Sequence, residues 1–201
     1  MNKKEAWAIL GILLVLALAA PAPAAAQVGS GWFLGASSGK GQFRSTCTLY
    51  TGGTCDPDDT AYRVFGGFRS SPNMPIEVGY ASAAEIFVDA VRIDSGVPLT
   101  FEATLKALDV SILPTYPFSD RFAIFGRLGL YRSQLEVRGL GATVANESVH
   151  NTGFTFGAGL RVDLGSAVGV RAEWQRYDSV GGGSVGQADI DYVNLGLELR
   201  F

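Results

Sequence analysis

The residues that come nearest to a hydrolytic pair are Ser148 and His150, because an imidazole base can activate a serine hydroxyl as a nucleophile. His150 is the only histidine in the sequence. A pair of this kind also needs an acid that orients the histidine. If this segment is a strand, Ser148 and His150 share one face with Phe154, while the adjacent Glu147 faces the other way. We therefore predict no catalytic residues.

The other reactive side chains do not indicate a metal or a cofactor. Asp56, Asp58 and Asp59 could hold a divalent cation, but they lack the Gly and distal Glu of a calcium loop, so we favour a solvated acidic loop. The only two cysteines are Cys47 and Cys55. Two thiols without a nearby histidine are a poor zinc site. In an exported protein they predict a disulfide that closes a small loop.

The first 26 residues have the features of a secretory signal peptide. Lys3 and Lys4 precede an apolar run from Ala6 to Ala20, and small residues end at Ala26. This run is shorter than the roughly 20 residues that a membrane-spanning helix needs, which argues against an uncleaved anchor. We expect cleavage after Ala26, which leaves residues 27–201 as one domain.

The composition favours a membrane protein built from strands. Hydrophobic residues make up 47% of the chain, and they are dispersed through alternating segments after the signal. A strand with one lipid-facing side needs no long hydrophobic run. The formal charge of −3 argues against a role in binding nucleic acid.

Alternation with a period of two indicates eight strands. They lie near residues 31–39, 61–69, 75–82, 107–114, 121–131, 153–162, 168–177 and 193–201. Three connections are tight, at residues 70–73, 117–120 and 163–166, and four are long, at 44–59, 84–100, 137–149 and 178–188. Residues 102–106 break the apolar pattern and are expected to extend a strand above the membrane. Short turns on one side and long loops on the other are typical of an all-β, eight-stranded, antiparallel up-and-down transmembrane β-barrel.

The two faces of these strands differ in chemistry. Bulky apolar residues dominate one face, and aromatic residues fall near the tight turns as an interfacial belt would: Trp32, Phe68, Tyr116, Phe122 and Phe201. Eight strands enclose a space that side chains just fill, and charges confined there should be paired. The predicted interior charge network contains Glu77, Arg127, Arg161, Arg171, Glu173, Glu198 and Arg200. It could be a structural plug or a gate for small ions.

Several segments, in this order and spacing, are similar to a known family. They are "GWFLGASSG", "FGGFR", "MPIEVGY", "FGRLGLY", "GFTFGAGLRV", "VRAEWQRY" and "VNLGLELRF". The chain resembles the OmpA-like transmembrane, porin-like surface-antigen family of eight-stranded barrels. The resemblance implies an outer-membrane location in a Gram-negative bacterium and insertion by the barrel-assembly machinery. It also implies that Leu197, Leu199 and Phe201 form the C-terminal assembly signal.

The resemblance also bears on the interior and on the length of the chain. Glu77 and Arg171 match inward positions of the family's ion-pair network. Leu113 and Arg161 depart from it, since a lysine and an acid are expected there. The chain ends at Phe201. We therefore expect the peptidoglycan-binding domain of longer relatives to be absent.

These observations lead to three functional hypotheses. The first is a structural or surface-interaction role, in membrane integrity or adhesion, through the long extracellular loops. Its partners would be outer-membrane lipid, lipopolysaccharide and a host or extracellular ligand. The second is a narrow, low-conductance channel for small solutes. The third is a lipid A-modifying barrel hydrolase, which we disfavour because Ser148-x-His150 reverses the His-x-Ser order of such enzymes.

Overall fold

The computed structural model is built from β-strands. It describes residues 31–44, 50–56, 58–71, 73–93, 96, 98–140, 147–182 and 187–201. The predicted signal peptide, Cys47 and the side chain of Cys55 lie outside these residues, so the predicted disulfide stays a prediction. Within the described residues no helix is long and apolar enough to cross a membrane.

Ten strands follow one another along the chain. They are β1 (Gly31–Phe43), β2 (Tyr50–Asp56), β3 (Asp58–Arg69), β4 (Pro75–Arg92), β5 (Pro98–Ile112), β6 (Thr115–Pro117), β7 (Phe122–Gly139), β8 (Glu147–Asp163), β9 (Val168–Gly181) and β10 (Gln187–Arg200). Two pairs act as single interrupted strands, because β2 and β3 both pair with β4, and β5 and β6 both pair with β7. The ten segments therefore make eight barrel strands, as predicted.

Antiparallel pairing closes the sheet into a cylinder. Neighbouring strands pair in chain order, and β1 completes the ring against β10 from Phe33↔Arg200 to Phe43↔Ile190. In the lipid-facing part, closure leaves the ring without an edge, so the backbone N–H and C=O groups there find partners within the sheet. In the hydrocarbon of a bilayer this is a requirement, and strands can meet it only in a closed barrel.

The strands are longer than the alternating segments that the sequence predicted. The predicted loop at 84–100 is wrong at residues 84–92 and 98–100, because β4 and β5 pair out to Val91↔Pro98. The predicted loop at 137–149 is wrong at residues 137–139 and 147–149, which belong to β7 and β8. The expectation that residues 102–106 extend a strand is confirmed. The four strands β2, β4, β5 and β7 thus continue beyond the membrane-facing part of the barrel.

Burial follows the predicted faces in the lower part of the barrel. The side chains of Leu108, Val110 and Ile112 are about half exposed on the outer wall, and those of Asp109 and Ser111 between them are buried inside. The same alternation holds on the other strands that form the wall. The outer surface is therefore the apolar one, and the polar side chains fill the interior.

Candidate functional site

Glu77 lies at the centre of the barrel interior and is shared by three arginines. Its Oε1 is 2.8 Å from Arg63 Nη1 and 2.6 Å from Arg127 Nη2, and its Oε2 is 2.6 Å from Arg171 Nη1. Glu77 itself is 0% exposed. A carboxylate fully removed from water is stable only with such charge-assisted partners.

Two further carboxylates complete this middle layer. Asp109 Oδ2 accepts from Arg63 at 2.8 Å and lies 3.4 Å from Arg127. Glu173 bonds Arg127 and lies 3.0 Å from Arg171. Three guanidinium groups thus face three carboxylates, so the layer is electrically balanced without solvent.

A second charged layer lies nearer to the tight turns. Glu198 pairs with Arg69 and, at 3.0 Å, with Arg200. Asp163 pairs with Arg200 and, at 3.2 Å, with Arg161. One contact joins the layers, since Arg171 Nη1 is 3.4 Å from Glu198 Oε2.

All seven residues that the sequence placed in the interior network lie in these two layers. Arg161 pairs with Asp163, which Arg200 also contacts. Four members were missed: Arg63, Arg69, Asp109 and Asp163. The alternation had already put the first three on the inward face, so the signal was present. Asp163 was assigned to a turn, although it is the last residue of β8.

A glycine makes room for the middle layer. A Cβ atom added at Gly79 would clash with the guanidinium of Arg63, which crosses directly over this position. Any larger residue would therefore push Arg63 away from Glu77 and Asp109. Gly79 thus leaves the space that the Arg63 side chain fills.

An aromatic and aliphatic layer lies above the charged ones, on the side of the long strands. The Tyr177 hydroxyl is 3.2 Å from Asp109 Oδ1, and the Tyr177 ring packs edge-on against Tyr131 at 5.2 Å. The wider cluster is buried; we call it the outer core, and it comprises Phe43, Ala61, Ala81, Val88, Ala90, Ala103, Leu105, Ala107, Tyr131, Leu135, Val137, Tyr177, Val180, Ile190 and Tyr192. Sequence reasoning missed it.

The outer wall becomes polar at the same height. Lys106 Nζ is 2.7 Å from Glu136 Oε1, and Thr100 donates to Asp89 at 2.9 Å. The hydrogen bond to Glu136 raises the pKa of Lys106. Polar residues outside and apolar residues inside are the arrangement of a water-soluble fold. We call this part, from about Lys106 outward on β2, β4, β5 and β7, the outer extension.

The terminal strand presents its apolar residues on the outer wall. Leu197, Leu199 and Phe201 are 58%, 36% and 60% exposed. Phe201 and Trp32 exchange two backbone hydrogen bonds of 3.1 Å, and the Trp32 ring lies 5.1 Å from that of Phe68. These aromatic residues form one sector of the predicted belt near the tight turns.

The candidate hydrolytic residues lie on the outer wall of β8. Ser148 and His150 are both exposed, as their shared face predicts. The Ser148 hydroxyl is 3.2 Å from Gln134 Nε2 on the neighbouring strand. Among the described residues, no three His, Cys, Asp or Glu side chains are grouped as a metal site would need.

Known proteins of the same architecture match this chain. The family described as "Outer membrane protein beta-barrel domain" matches residues 10–201. Outer membrane protein A of Shigella flexneri is 25% identical over 200 residues, which cover 96% of this chain and 55% of that protein. The chain therefore spans about half the length of this relative.

Solved structures show the same fold at low sequence identity. Neisserial surface protein A aligns with a TM-score of 0.63 and 12% identity, over 87% of this chain and 100% of its own. The attachment invasion locus protein Ail of Yersinia pestis, solved with the heparin analogue sucrose octasulfate, aligns with a TM-score of 0.56 and 13% identity over the same shares.

Proposed function

Because this chain belongs to the family of outer-membrane β-barrel domains and is located in the outer membrane of a Gram-negative bacterium, we propose that it works as a surface-interaction protein. The interaction surface is the outer extension. The observation that carries the proposal is the outer core, which lets β4 and β5 stay paired well beyond the lipid-facing residues. A folded extension holds its outward side chains in fixed positions, as ligand recognition requires.

The extension reaches far enough to meet a partner. On β4 the alternating outer-wall series Ile76, Val78 and Tyr80 ends before the bulge, and the strand continues to Arg92. Twelve residues of strand at about 3.3 Å each, tilted by about 40°, rise about 30 Å. An extension of this height clears the membrane surface and stands within reach of a large external ligand.

The charge of the outer segments limits the chemistry of that ligand. Residues 44–59, 84–106, 132–150 and 176–191 contain twelve Asp and Glu against six Lys and Arg. Such a surface repels a sulfated glycan, the kind of molecule with which Ail was solved. We therefore propose a neutral or basic extracellular partner, such as a basic protein segment on a host cell.

Shortening the β4–β5 hairpin tests the proposal. Ala83 and Leu105 are paired across the hairpin, so an Asn-Gly turn can replace residues 84–104. We expect the shortened barrel to reach the outer membrane, but the cells to lose adhesion to host cells that the full chain restores in a deletion strain. Detergent sensitivity, measured in the same strains, separates adhesion from membrane integrity. Full adhesion by the shortened variant would contradict the proposal.

The channel hypothesis finds no support in the interior. Arg63, Glu77, Asp109 and Arg127 are each 0–1% exposed, so water does not reach the middle of the bore. The outer core covers the same bore from the other side. We expect planar-bilayer recordings of the purified protein to show no conductance steps above baseline. Regular steps would support the channel hypothesis.

We also propose that the chain is not an enzyme. Ser148 is held by Gln134, and the order Ser148-x-His150 is the reverse of that in barrel lipases. Mass spectrometry of lipid A from cells with the wild-type chain should match that from cells with Ser148→Ala or His150→Ala. If lipid A lost an acyl chain only in cells with the wild-type chain, the protein would be an enzyme.

The exposed end of β10 supports a role in assembly. We propose that the barrel-assembly machinery binds Leu197, Leu199 and Phe201, which share the outer face. Phe201→Ala should slow the appearance of the folded, heat-modifiable form in a pulse-chase experiment. The control is Leu195→Ala, which removes an apolar side chain from the same face six residues earlier. Equal rates for both variants would count against a terminal signal.

A further inference from the structure

The charged layer nearest to the tight turns, which we call the lower layer, is not electrically balanced. It contains the guanidinium groups of Arg69, Arg161 and Arg200 against the carboxylates of Glu198 and Asp163. The middle layer is neutral, so the lower layer carries an excess of one positive charge. A charge in a space that is largely shielded from water is costly unless it is paired.

Arg161 is the least satisfied cation of the lower layer. Its Nε lies 3.2 Å from Asp163 Oδ1, but this contact is an ion pair without a hydrogen bond. Among the described residues, the guanidinium of Arg161 has no hydrogen-bond acceptor, although its side chain is only 12% exposed. Buried donors without an acceptor are rare in proteins, and a guanidinium carries several of them. Arg161 therefore has free donors for a further anion.

The groups around Arg161 also favour an anion. The register pairs Arg161 with Arg171 on β9, and like charges opposite each other destabilise a sheet. The Nε groups of Arg69 and Arg171, like that of Arg161, are buried without an acceptor. Three unused N–H groups thus lie in and next to the lower layer. The charged side chains that act most strongly on Arg161 are two acids and two bases: Glu198, Asp163, Arg200 and Arg171.

Other charges at this end of the barrel do not balance the lower layer. Asp120 and Arg121, on a tight turn, are both exposed, and their charges cancel. The main-chain oxygen of Phe201 accepts the N–H of Trp32. Within the described part of the chain, Phe201 forms no ion pair with an arginine. The excess positive charge therefore stays with the arginines of the lower layer.

The lower layer is open towards the tight turns. The side chains of Arg69 and Arg200 are each 14% exposed, whereas Glu77 in the middle layer is fully buried. In outer-membrane barrels the tight turns face the periplasm. A small anion can therefore reach the lower layer from the periplasm, and the middle layer prevents it from going further.

We propose that the lower layer binds one small carboxylate-bearing anion from the periplasm, which the free donors of Arg161 hold. A carboxylate fits because its negative charge cancels the excess and its oxygens match the planar fork of a guanidinium. The resemblance to the OmpA-like family implies an acid at position 161, so this site is not one that the resemblance implies. It lies at the opposite end of the barrel from the outer extension and is independent of the adhesion proposal.

Titration of the purified, folded protein in detergent micelles with sodium formate measures this binding. Sodium chloride keeps the ionic strength constant, and the proton–nitrogen resonances of the arginine Nε–H groups report contact with the anion. The resonance of Arg161 should shift in a saturable way, with a smaller shift at Arg69. The resonance of Arg121, which is exposed on a turn, should not move.

Variants at position 161 separate the charge of the side chain from its shape. Arg161→Gln should weaken formate binding about tenfold, measured at the Arg69 resonance, because a charge-assisted contact is lost. Arg161→Lys keeps the charge but lacks the planar fork, so its loss should be smaller. The control is Arg121→Gln, which removes a cation at the same end of the barrel and should bind formate like the wild type. Heat-modifiable migration on gels checks that each variant is folded.

The urea unfolding midpoint gives a second readout that needs no assigned resonance. An anion that binds only the folded barrel stabilises it, so formate should raise the midpoint of the wild type. The midpoint of Arg161→Glu, which reverses the charge, should not depend on formate. If Arg161→Glu does not fold, Arg161→Gln serves the same comparison.

Three results would overturn the proposal. Shifts that grow linearly with formate, or that are the same in the wild type and in Arg161→Gln, would show that Arg161 holds no anion. Equal losses in Arg161→Gln and Arg121→Gln would show a general charge effect without a site. Tighter binding of inorganic phosphate than of formate would make the ligand a phosphate and not a carboxylate.

Discussion

Glu77 illustrates how the interior tolerates charge. An isolated carboxylate in this place would be costly, but its two oxygens meet three guanidinium groups. Asp109 and Glu173 balance the same arginines, so each charge has a partner on another strand. The network therefore ties β3, β4, β5, β7 and β9 together across the bore.

Removing one charge from this balanced layer should be far more costly than removing a surface charge. Glu77→Gln leaves three arginines with two carboxylates, and we expect a loss of about 3–5 kcal/mol in the free energy of unfolding. The control is Glu136→Gln, whose partner Lys106 is 40% exposed, with an expected loss of about 0–1 kcal/mol. Urea unfolding in lipid vesicles measures both, and similar losses would show that the layer is not a tightly coupled unit.

At the scale of elements, the outer extension has the opposite polarity to the wall beneath it. Along β5, Leu108 and Val110 face lipid, whereas Leu105 and Ala103 face the outer core. The apolar face changes sides between Leu105 and Leu108 because the medium outside changes from lipid to water. Packing against Leu135 and Val137 then takes the place of lipid contact.

Two leucines three residues apart test this change of sides. Leu105→Ala leaves a cavity in the outer core and should destabilise the extension by about 2–5 kcal/mol. Leu108→Ala should cost less, because fluid acyl chains fill the space that it leaves on the wall. Hydrogen exchange should become faster in residues 98–105 for Leu105→Ala only. Unchanged exchange in that variant would mean that the outer core does not hold the extension together.

Alternation predicted the lower barrel because the backbone there is regular. It failed in β4 for a physical reason: the register shifts between Ala83 and Glu85. Odd-numbered residues such as Ala81 face inward before this bulge, and even-numbered Val88 and Ala90 face inward after it. A strict period of two therefore finds no pattern beyond Ala83 and assigns a loop. A similar bulge precedes Ile190, where Ser179 on the partner strand has a φ of 56°.

The interior network was predictable to a smaller extent. Arg161, Arg171 and Glu173 could be placed inside because alternation fixes the direction of a side chain. Their partners depend on which strands face each other across the bore, and this is a property of the closed cylinder that the sequence of one strand does not contain. Arg63, for example, meets Asp109 from a strand that is not its neighbour.

The whole molecule has two parts that differ in which side of the sheet is apolar. In the membrane, lipid solvates the wall and ion pairs fill the bore. Above it, water solvates the wall and apolar side chains fill the bore. Strands β4, β5 and β7 pass through both regions without interruption. The anchor and the exposed surface therefore share three continuous strands.

Spin-label accessibility along β5 measures which side chains face lipid, water or the outer core. Single cysteines at positions 102–112, in a Cys47→Ser/Cys55→Ser background in lipid vesicles, report contact with oxygen in lipid or with a nickel complex in water. We predict oxygen contact at 108, 110 and 112, nickel contact at 102, 104 and 106, and contact with neither at the odd positions between. Nickel contact at 103 and 105 would contradict the account, because the outer core would then be open to water.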